Sequence, residues 1–297
     1  MKPRVHAHTW DFRDSDLGKT LDSGQAFRWE LRDGGWHGVV GPRWVVLRQT
    51  GSELRAETVE DPGDWQWLVH YLGLDEDLDA VLATYPRDLP MTQAVGACRG
   101  LRLLRQDPWE CLASFILSST KQITQIRQTV RMLCQRYGTP VRVAEGEPAT
   151  HTFPTASALA AVSEGELREC RMGFRARYLR ETACRVAQGQ VDLQRLHALP
   201  LEDARLALTT LPGVGRKIAD CVLLFSCQQR RAFPLDVWIL RTLRELYFQG
   251  REVSRAELEA FSETYFGPQA GYAQQYLFHD ARMRAGRVAS GGARVAG

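Results

Sequence analysis

An α+β fold, with an antiparallel sheet ahead of an all-helical region, is predicted by three features of the 297-residue sequence. Apolar and polar residues alternate between Gly- and Pro-containing turns from about residue 25 to 60, which is the strand pattern. From Asp64 onward the apolar residues recur at spacings of three and four, the period of an amphipathic helix. Between Leu211 and Trp238 a tight glycine turn, Leu211-Pro212-Gly213-Val214-Gly215, opens one helical pattern, and Pro234 and Asp236 open the next. The expected division is a sheet unit with its following helices over 1–105, a helical domain over 106–283 and a disordered tail over 284–297.

Each element has its own signal. Ala26 to Leu31 alternates, Asp33-Gly34-Gly35 turns, and Trp36 to Val40 and Trp44 to Arg48 follow around Gly41-Pro42. Gly51-Ser52 then precedes a strand ending near Val59, which completes a meander with no second sheet expected. Trp65, Leu68, Val69 and Leu72 form one helical face. Asp107-Pro108 predicts a helix start, with aspartate as N-cap and proline at the first helical position, running to about Ser118. The polar stretch Ser118 to Gln122 interrupts before a helix from Ile123 to Tyr137. Residues 139–155 form a connection, and helices over Ala156–Val162 and Glu164–Cys170 lead to the loop Arg171 to Arg175. After the glycine-turn segment, Pro268 to Gly271 enters a helix holding Gln274 and Phe278, which share a face at a spacing of four. The Gly-, Ala- and Arg-rich end reads as disordered.

Composition excludes several classes. Apolar content of 44% and charged content of 25% are ordinary globular values. With 38 basic against 35 acidic residues, a net charge of +3 steers little by itself, so any nucleic-acid surface is a local patch. The seven cysteines are odd in number and scattered, reading as reduced thiols without the clustered spacing of an iron–sulfur ligand set. No zinc spacing, signal peptide or membrane-length apolar run is found, so no metal, no cofactor and no membrane contact are expected.

Chemistry concentrates at the glycine turn. A glycine turn at a helix entrance presents free N–H groups to an anion, for which a DNA phosphate is the natural candidate. The chain has four lysines, Lys2, Lys19, Lys121 and Lys217, so arginine supplies nearly all its positive charge. Lys217 stands just after the glycines, and only lysine offers a primary amine that can attack carbon and form a Schiff base. Its apolar neighbours favour the neutral amine by desolvation. A non-catalytic DNA-binding hairpin also carries a lysine there, and this segment alone leaves the two readings open. Asp236 is both a helix cap and a carboxylate.

The segment resembles the helix-hairpin-helix plus Gly/Pro-rich-loop-and-aspartate motif of DNA glycosylases, and most closely the 8-oxoguanine DNA glycosylase/lyase family. The resemblance extends to Ser23-Gly24-Gln25-Ala26-Phe27-Arg28-Trp29, Leu103 to Leu112, Gly173 to Tyr178, and Gly267-Pro268 through Phe278, nearly the whole chain. It implies an N-terminal antiparallel sheet domain before the helical glycosylase domain. It places Lys217 at the nucleophile position and Asp236 at the catalytic aspartate. It assigns Gly24, Cys221, Gln274 and Phe278 to the flipped base, and Gly213 and Gly215 to a backbone phosphate. Thr120, Lys121, Gln125 and Arg175 fall at the base opposite the lesion, with Phe174 as the aromatic wedge. Spacing alone reads Phe174 and Phe278 as core aromatics, and Cys221 equally well as a small buried thiol.

The implied activity is removal of 8-oxoguanine from double-stranded DNA, followed by strand nicking. The implied protein is an intracellular monomer acting wherever the genome is. Departures from the animal and fungal members are Thr120 and Lys121 for asparagines, Gln125 for an arginine, and Trp238 for a histidine. Two rival readings stand beside this one: a glycosylase for alkylated bases, whose members largely use aspartate alone, and a non-catalytic helix-hairpin-helix DNA-binding module.

Overall fold

The computed structural model describes residues 4–118 and 121–292. Strand β1 (His6–Asp11) is followed by the short helix α1 (Leu17–Leu21), then by β2 (Glu30–Arg32), β3 (Gly35–Val40), β4 (Arg43–Thr50) and β5 (Glu53–Thr58). They form one antiparallel sheet in the order β1-β5-β4-β3-β2. The alternation in β5 buries Leu54 and Ala56 against Val45 and Leu47 of β4 and against Leu17, Leu21, Trp65 and Leu68. Trp44 and Val46 on the other face of β4 pack with Val39, Val59 and Val141. A strand covered on both faces loses its alternation, as β4 does.

Two parts of the sheet differ from the sequence expectation. The alternating run from Ala26 to Leu31 is a strand only from Glu30. Phe27 packs into the large helical core while Ala26 and Trp29 pack into the sheet core, so this segment crosses the seam between two cores. The edge strand β1 pairs His6 with Thr58, although its residues are mostly exposed and carry no alternation for sequence reading to find.

Helices α2 (Gln66–Leu72), α3 (Leu78–Leu82) and α4 (Leu89–Cys98) lead to α5 (Pro108–Ser118), whose start is capped by Asp107 Oδ1 accepting from the Glu110 N–H at 2.8 Å. Helix α6 (Ile123–Tyr137) follows the polar interruption as expected. Pro140–Val141 (β6) then pairs with Thr150–His151 (β7), a small second sheet that the sequence reading did not anticipate. Helices α7 (Ala156–Ala160) and α8 (Glu164–Leu167) end in a wide turn, Arg168–Met172, in which Arg171 adopts left-handed φ of 60°. Then come α9 (Arg175–Ala187), α10 (Leu201–Thr209), α11 (Arg216–Phe225), α12 (Val237–Tyr247), α13 (Arg255–Tyr265) and α14 (Ala270–Gly292). The expected tail from Arg284 is therefore helical to Gly292. Alanine and arginine favour helix, and Arg284 pairs with Asp280 one turn earlier. Residues 293–297 of that tail lie outside the described residues.

Helix α11 is the centre of the helical core, with every residue from Ile218 to Phe225 buried. Phe225 stacks on Phe115 of α5 at 5.6 Å between ring centroids, and its carbonyl accepts from the Gln106 N–H at 2.8 Å. A buried ion pair, Arg205 to Asp220 at 2.6 Å, ties α10 to α11.

The sheet and helical parts meet at Gln25, which is fully buried. Its amide nitrogen donates to the Thr20 carbonyl at 2.9 Å and the Arg102 carbonyl at 2.8 Å, and its amide oxygen accepts from the Leu104 N–H at 2.8 Å. Gln106 and Gln275 donate to the Gln25 and Ser23 carbonyls at 2.7 and 3.1 Å. These bonds hold the short turn carrying Gly24. Gln25→Leu keeps the volume but orphans buried backbone groups, each costing about 1–3 kcal/mol. The expected outcome is a clearly lowered melting temperature in a thermal denaturation curve; an unchanged curve would show that the joint does not carry the turn.

Candidate active site

The turn before α11 needs its glycine. Gly213 has φ of +75°, and a Cβ there would sit 2.8 Å from Tyr178 Cβ. Gly215 is the N-cap of α11, without a side-chain cap, so the first-turn amides of the helix face an exposed turn. Two cations occupy that turn. Arg216 pairs with Glu263 of α13 at 2.6 Å. Lys217 instead turns its amine toward α5, with Nζ 3.4 Å from Ser118 Oγ, to which it donates, and 5.2 Å from the Phe115 ring centroid.

Asp236 is the N-cap of α12, its Oδ1 accepting from the Ile239 N–H at 2.9 Å. Burial pushes its carboxyl above the usual carboxylate range, opposed by that N–H and by the charge of nearby Lys217. Cys221 lies one turn beyond Lys217 with its thiol pushed up to about 12 by burial, against the pull of the Lys217 charge. It is a neutral, buried surface beside the amine. Lys217, Asp236 and Cys221 thus converge from two helix starts.

A second group faces them from α14 and the Gly24 turn. Gln274 is buried, and its amide nitrogen donates to the Pro234 carbonyl, two residues before Asp236, at 3.0 Å. Its amide oxygen is buried with no hydrogen-bond partner, an acceptor waiting for a donor. Gly24 has φ of +85°, and a Cβ on it would lie 2.9 Å from Ile123 Cδ1 and 3.5 Å from Phe278 Cε1. A side chain at position 24 would therefore run into Ile123 and meet the Phe278 ring.

The remaining predicted residues form a separate cluster. Phe174 is 61% exposed, so it is not a core aromatic. Its ring contacts Tyr178 edge-on at 6.0 Å, and the Arg175 guanidinium lies 4.5 Å from its centroid. Arg175 itself is buried, and burial lowers its pKa. Lys121 donates to the Arg171 carbonyl at 2.7 Å and to Thr129 Oγ1 at 3.1 Å, which ties it to the loop that carries Phe174. Burial and then the Arg175 charge lower its pKa. Gln125 turns its amide oxygen back to the Gln122 N–H at 3.1 Å as part of a capping box. Thr120 lies outside the described residues. Sequence reasoning passed over Ser118, Gln25 and Arg282; the first two stood inside quoted motifs, and Arg282 shares a helical face with Phe278 one turn earlier.

A helical hairpin presenting a lysine, with a capping aspartate opposite it and an exposed aromatic on a neighbouring loop, defines a DNA-repair glycosylase of the helix-hairpin-helix class. The model of the 8-oxoguanine DNA glycosylase N-terminal domain matches residues 10–112, and that of the HhH-GPD superfamily of base excision DNA repair proteins matches residues 113–268. The chain belongs to the 8-oxoguanine DNA glycosylase family. It is 32% identical over 285 residues to the Arabidopsis thaliana N-glycosylase/DNA lyase OGG1, covering 88% of this chain and 76% of the relative. It is 33% identical over 219 residues to a probable N-glycosylase/DNA lyase of Methanothermobacter thermautotrophicus, covering 67% and 69%. The Clostridium acetobutylicum 8-oxoguanine glycosylase/lyase, solved with double-stranded DNA containing cytosine opposite 8-oxoG, superposes with a TM-score of 0.87 at 29% identity over 94% of this chain and 98% of that one.

The cap and charge roles of Asp236 can be separated. Asparagine caps helices about as well as aspartate. A carboxyl whose folded pKa is raised disfavours folding when ionised, and stability returns as pH falls through that pKa. Asp236→Asn removes this penalty, so its melting temperature at neutral pH is expected to match or exceed that of the unaltered protein while excision collapses. A parallel fall in both would make the residue chiefly structural.

Proposed function

We propose that the chain is a bifunctional N-glycosylase/DNA lyase that removes 8-oxoguanine from duplex DNA and works as a monomer. The observation that carries this reading is the Lys217 amine at the open end of buried α11, within the electrostatic reach of Asp236. A base inside a duplex cannot offer its glycosidic carbon, so the nucleotide must leave the stack. Phe174 fills the gap, and the amides at Gly213 and Gly215 hold a backbone phosphate. The Lys217 amine attacks C1′ through its nitrogen lone pair; the bond from C1′ to N9 breaks, and its electron pair leaves with the base, which takes up a proton. Asp236 stabilises the positive charge developing on the sugar. Ring opening leaves a Schiff base between Nζ and C1′. Loss of a proton from C2′ then expels the 3′ phosphate by β-elimination, nicking the strand.

Recognition turns on one proton. Guanine has a bare acceptor at N7, while the oxidised base carries N7–H. The Gly24 carbonyl accepts it, and the unpaired Gln274 oxygen takes a donor from the Watson–Crick edge. Normal guanine would leave the Gly24 carbonyl facing another acceptor, costing about 1–3 kcal/mol.

Two experiments bear on this proposal. With borohydride present, the unaltered protein should become covalently joined to an 8-oxoguanine duplex, and Lys217→Gln should lose trapping and excision while still binding the lesion. Trapping of Lys217→Gln at unaltered levels would remove this lysine as the nucleophile. An alkylated-base enzyme without a lysine nucleophile, or a simple DNA-binding module, would trap nothing.

The second experiment concerns the opposite base. Gln125 replaces a charged fork and is turned into its own helix cap, and Lys121 is tied to the Arg171 carbonyl. Only Arg175 keeps a guanidinium there. Losing a bidentate contact removes about 1–3 kcal/mol of discrimination. Excision opposite cytosine should therefore exceed excision opposite the other three bases by less than about a hundredfold in single-turnover rates. A larger preference over every alternative contradicts this assignment.

A further inference from the structure

Arg282 sits where the two readers of the flipped base meet, one helical turn after Phe278 on α14. Its Nη1 donates to the Asp22 carbonyl at 3.2 Å, in the turn that carries Gly24. The same nitrogen lies 3.4 Å from where a Gly24 Cβ would stand, and Cζ lies 5.6 Å from the Phe278 ring centroid. The guanidinium therefore touches both walls of the base slot. Those walls come from opposite ends of the chain; Gln275 of α14 also reaches the turn, through the Ser23 carbonyl, and of these contacts Arg282 is the one that meets both the turn and the Phe278 ring. Gln25 and Gln275 anchor the turn from beneath, while Phe278 is only partly buried on its helix.

Its surroundings suit a clamp rather than a free cation. Desolvation is the largest influence on its pKa and lowers it, with the Asp22 charge opposing and the Arg127 charge reinforcing. Arg127 itself is taken up by Asp22 Oδ1 at 2.7 Å. The Asp236 charge also acts on Arg282, in the direction opposite to desolvation. A planar guanidinium can donate from its edge to a carbonyl while presenting itself to an aromatic ring, which an ammonium does less well.

Resting on the proposed reading of the slot, we infer that Arg282 is a positioning residue that clamps the Gly24 turn to the Phe278 ring and so sets the width of the 8-oxoguanine slot. The clamp acts on recognition of the base. It has no task once the base is gone, because an abasic site leaves the slot empty while Lys217 and Asp236 still act on the sugar.

That difference supplies the test. Arg282→Met keeps the aliphatic stem but removes the planar cation, and Arg282→Gln keeps one donor for the Asp22 carbonyl. For each, 8-oxoguanine excision is compared with strand nicking at a preformed abasic site in the same duplex, and a thermal denaturation curve checks folding. The expected result is a kcat/KM for 8-oxoguanine excision reduced about tenfold, with the loss mainly in KM, and abasic-site nicking unchanged. Equal loss of both activities would overturn the clamp and make Arg282 a general DNA contact or a folding residue. Retention of both would show that the two walls hold their spacing without it. Failure of the proposed function itself is distinguishable, since the unaltered protein would then show no borohydride trapping on the 8-oxoguanine duplex.

Discussion

A helix buried along its whole length can deliver a polar group at only one place, its open first turn. Helix α11 comes close to this: Ile218 to Phe225 are all buried, and the one carboxyl among them, Asp220, is taken up inside the protein by Arg205 at 2.6 Å. Lys217 stands in the one turn where an amine can be both packed against apolar atoms and reachable from outside. The left-handed Gly213 lets the chain enter that turn against Tyr178. The rest of the architecture supports this placement: α5 supplies the ring and hydroxyl beside the amine, α10 is locked on by Arg205 and Asp220, and α12 begins with the carboxylate facing it.

Recognition and chemistry come from different parts of the chain, and buried amides join them. Gln274 on α14 binds the Pro234 carbonyl just ahead of Asp236, so the residue proposed to read the base edge also fixes the approach to the carboxylate proposed to act on the sugar. Gln25 and Gln275 do the same for the Gly24 turn, tying it to the sheet core and to α14. Amides serve here because each supplies donor and acceptor without charge, and a charge in the same place would carry a large desolvation cost.

On the other strand's side the side chains are committed differently. Lys121 is held by the Arg171 carbonyl and Thr129, and Gln125 by its own helix start. Both therefore support the loop bearing Phe174 and the start of α6. The face proposed to meet the opposite base also includes Arg175, whose guanidinium lies 4.5 Å from the centre of the Phe174 ring. A side chain engaged in local structure has less freedom to follow a partner base.

Much of this was legible in sequence because the signals are local. The glycine turn, the single lysine after it, the capping aspartates at Asp107 and Asp236 and the helical period of α6 each depend on residues a few positions apart, and the fold class followed. Residues whose meaning depends on distant partners did not show themselves. The Ala26–Trp29 run reads as a strand until its side chains are seen to enter two different cores, and β1 carries no strand alternation of its own and is defined by its pairing with β5. The exposure of Phe174, the orphaned Gln274 oxygen and the capture of Lys121 by Arg171 were likewise decided by packing. Sequence by itself determined which groups could do chemistry, since amines, carboxylates and left-handed glycines are intrinsic to residue type. Which of those groups meet was decided only by tertiary structure, because hydrogen bonds and ring contacts act over a few ångströms in space between residues up to two hundred and sixty positions apart.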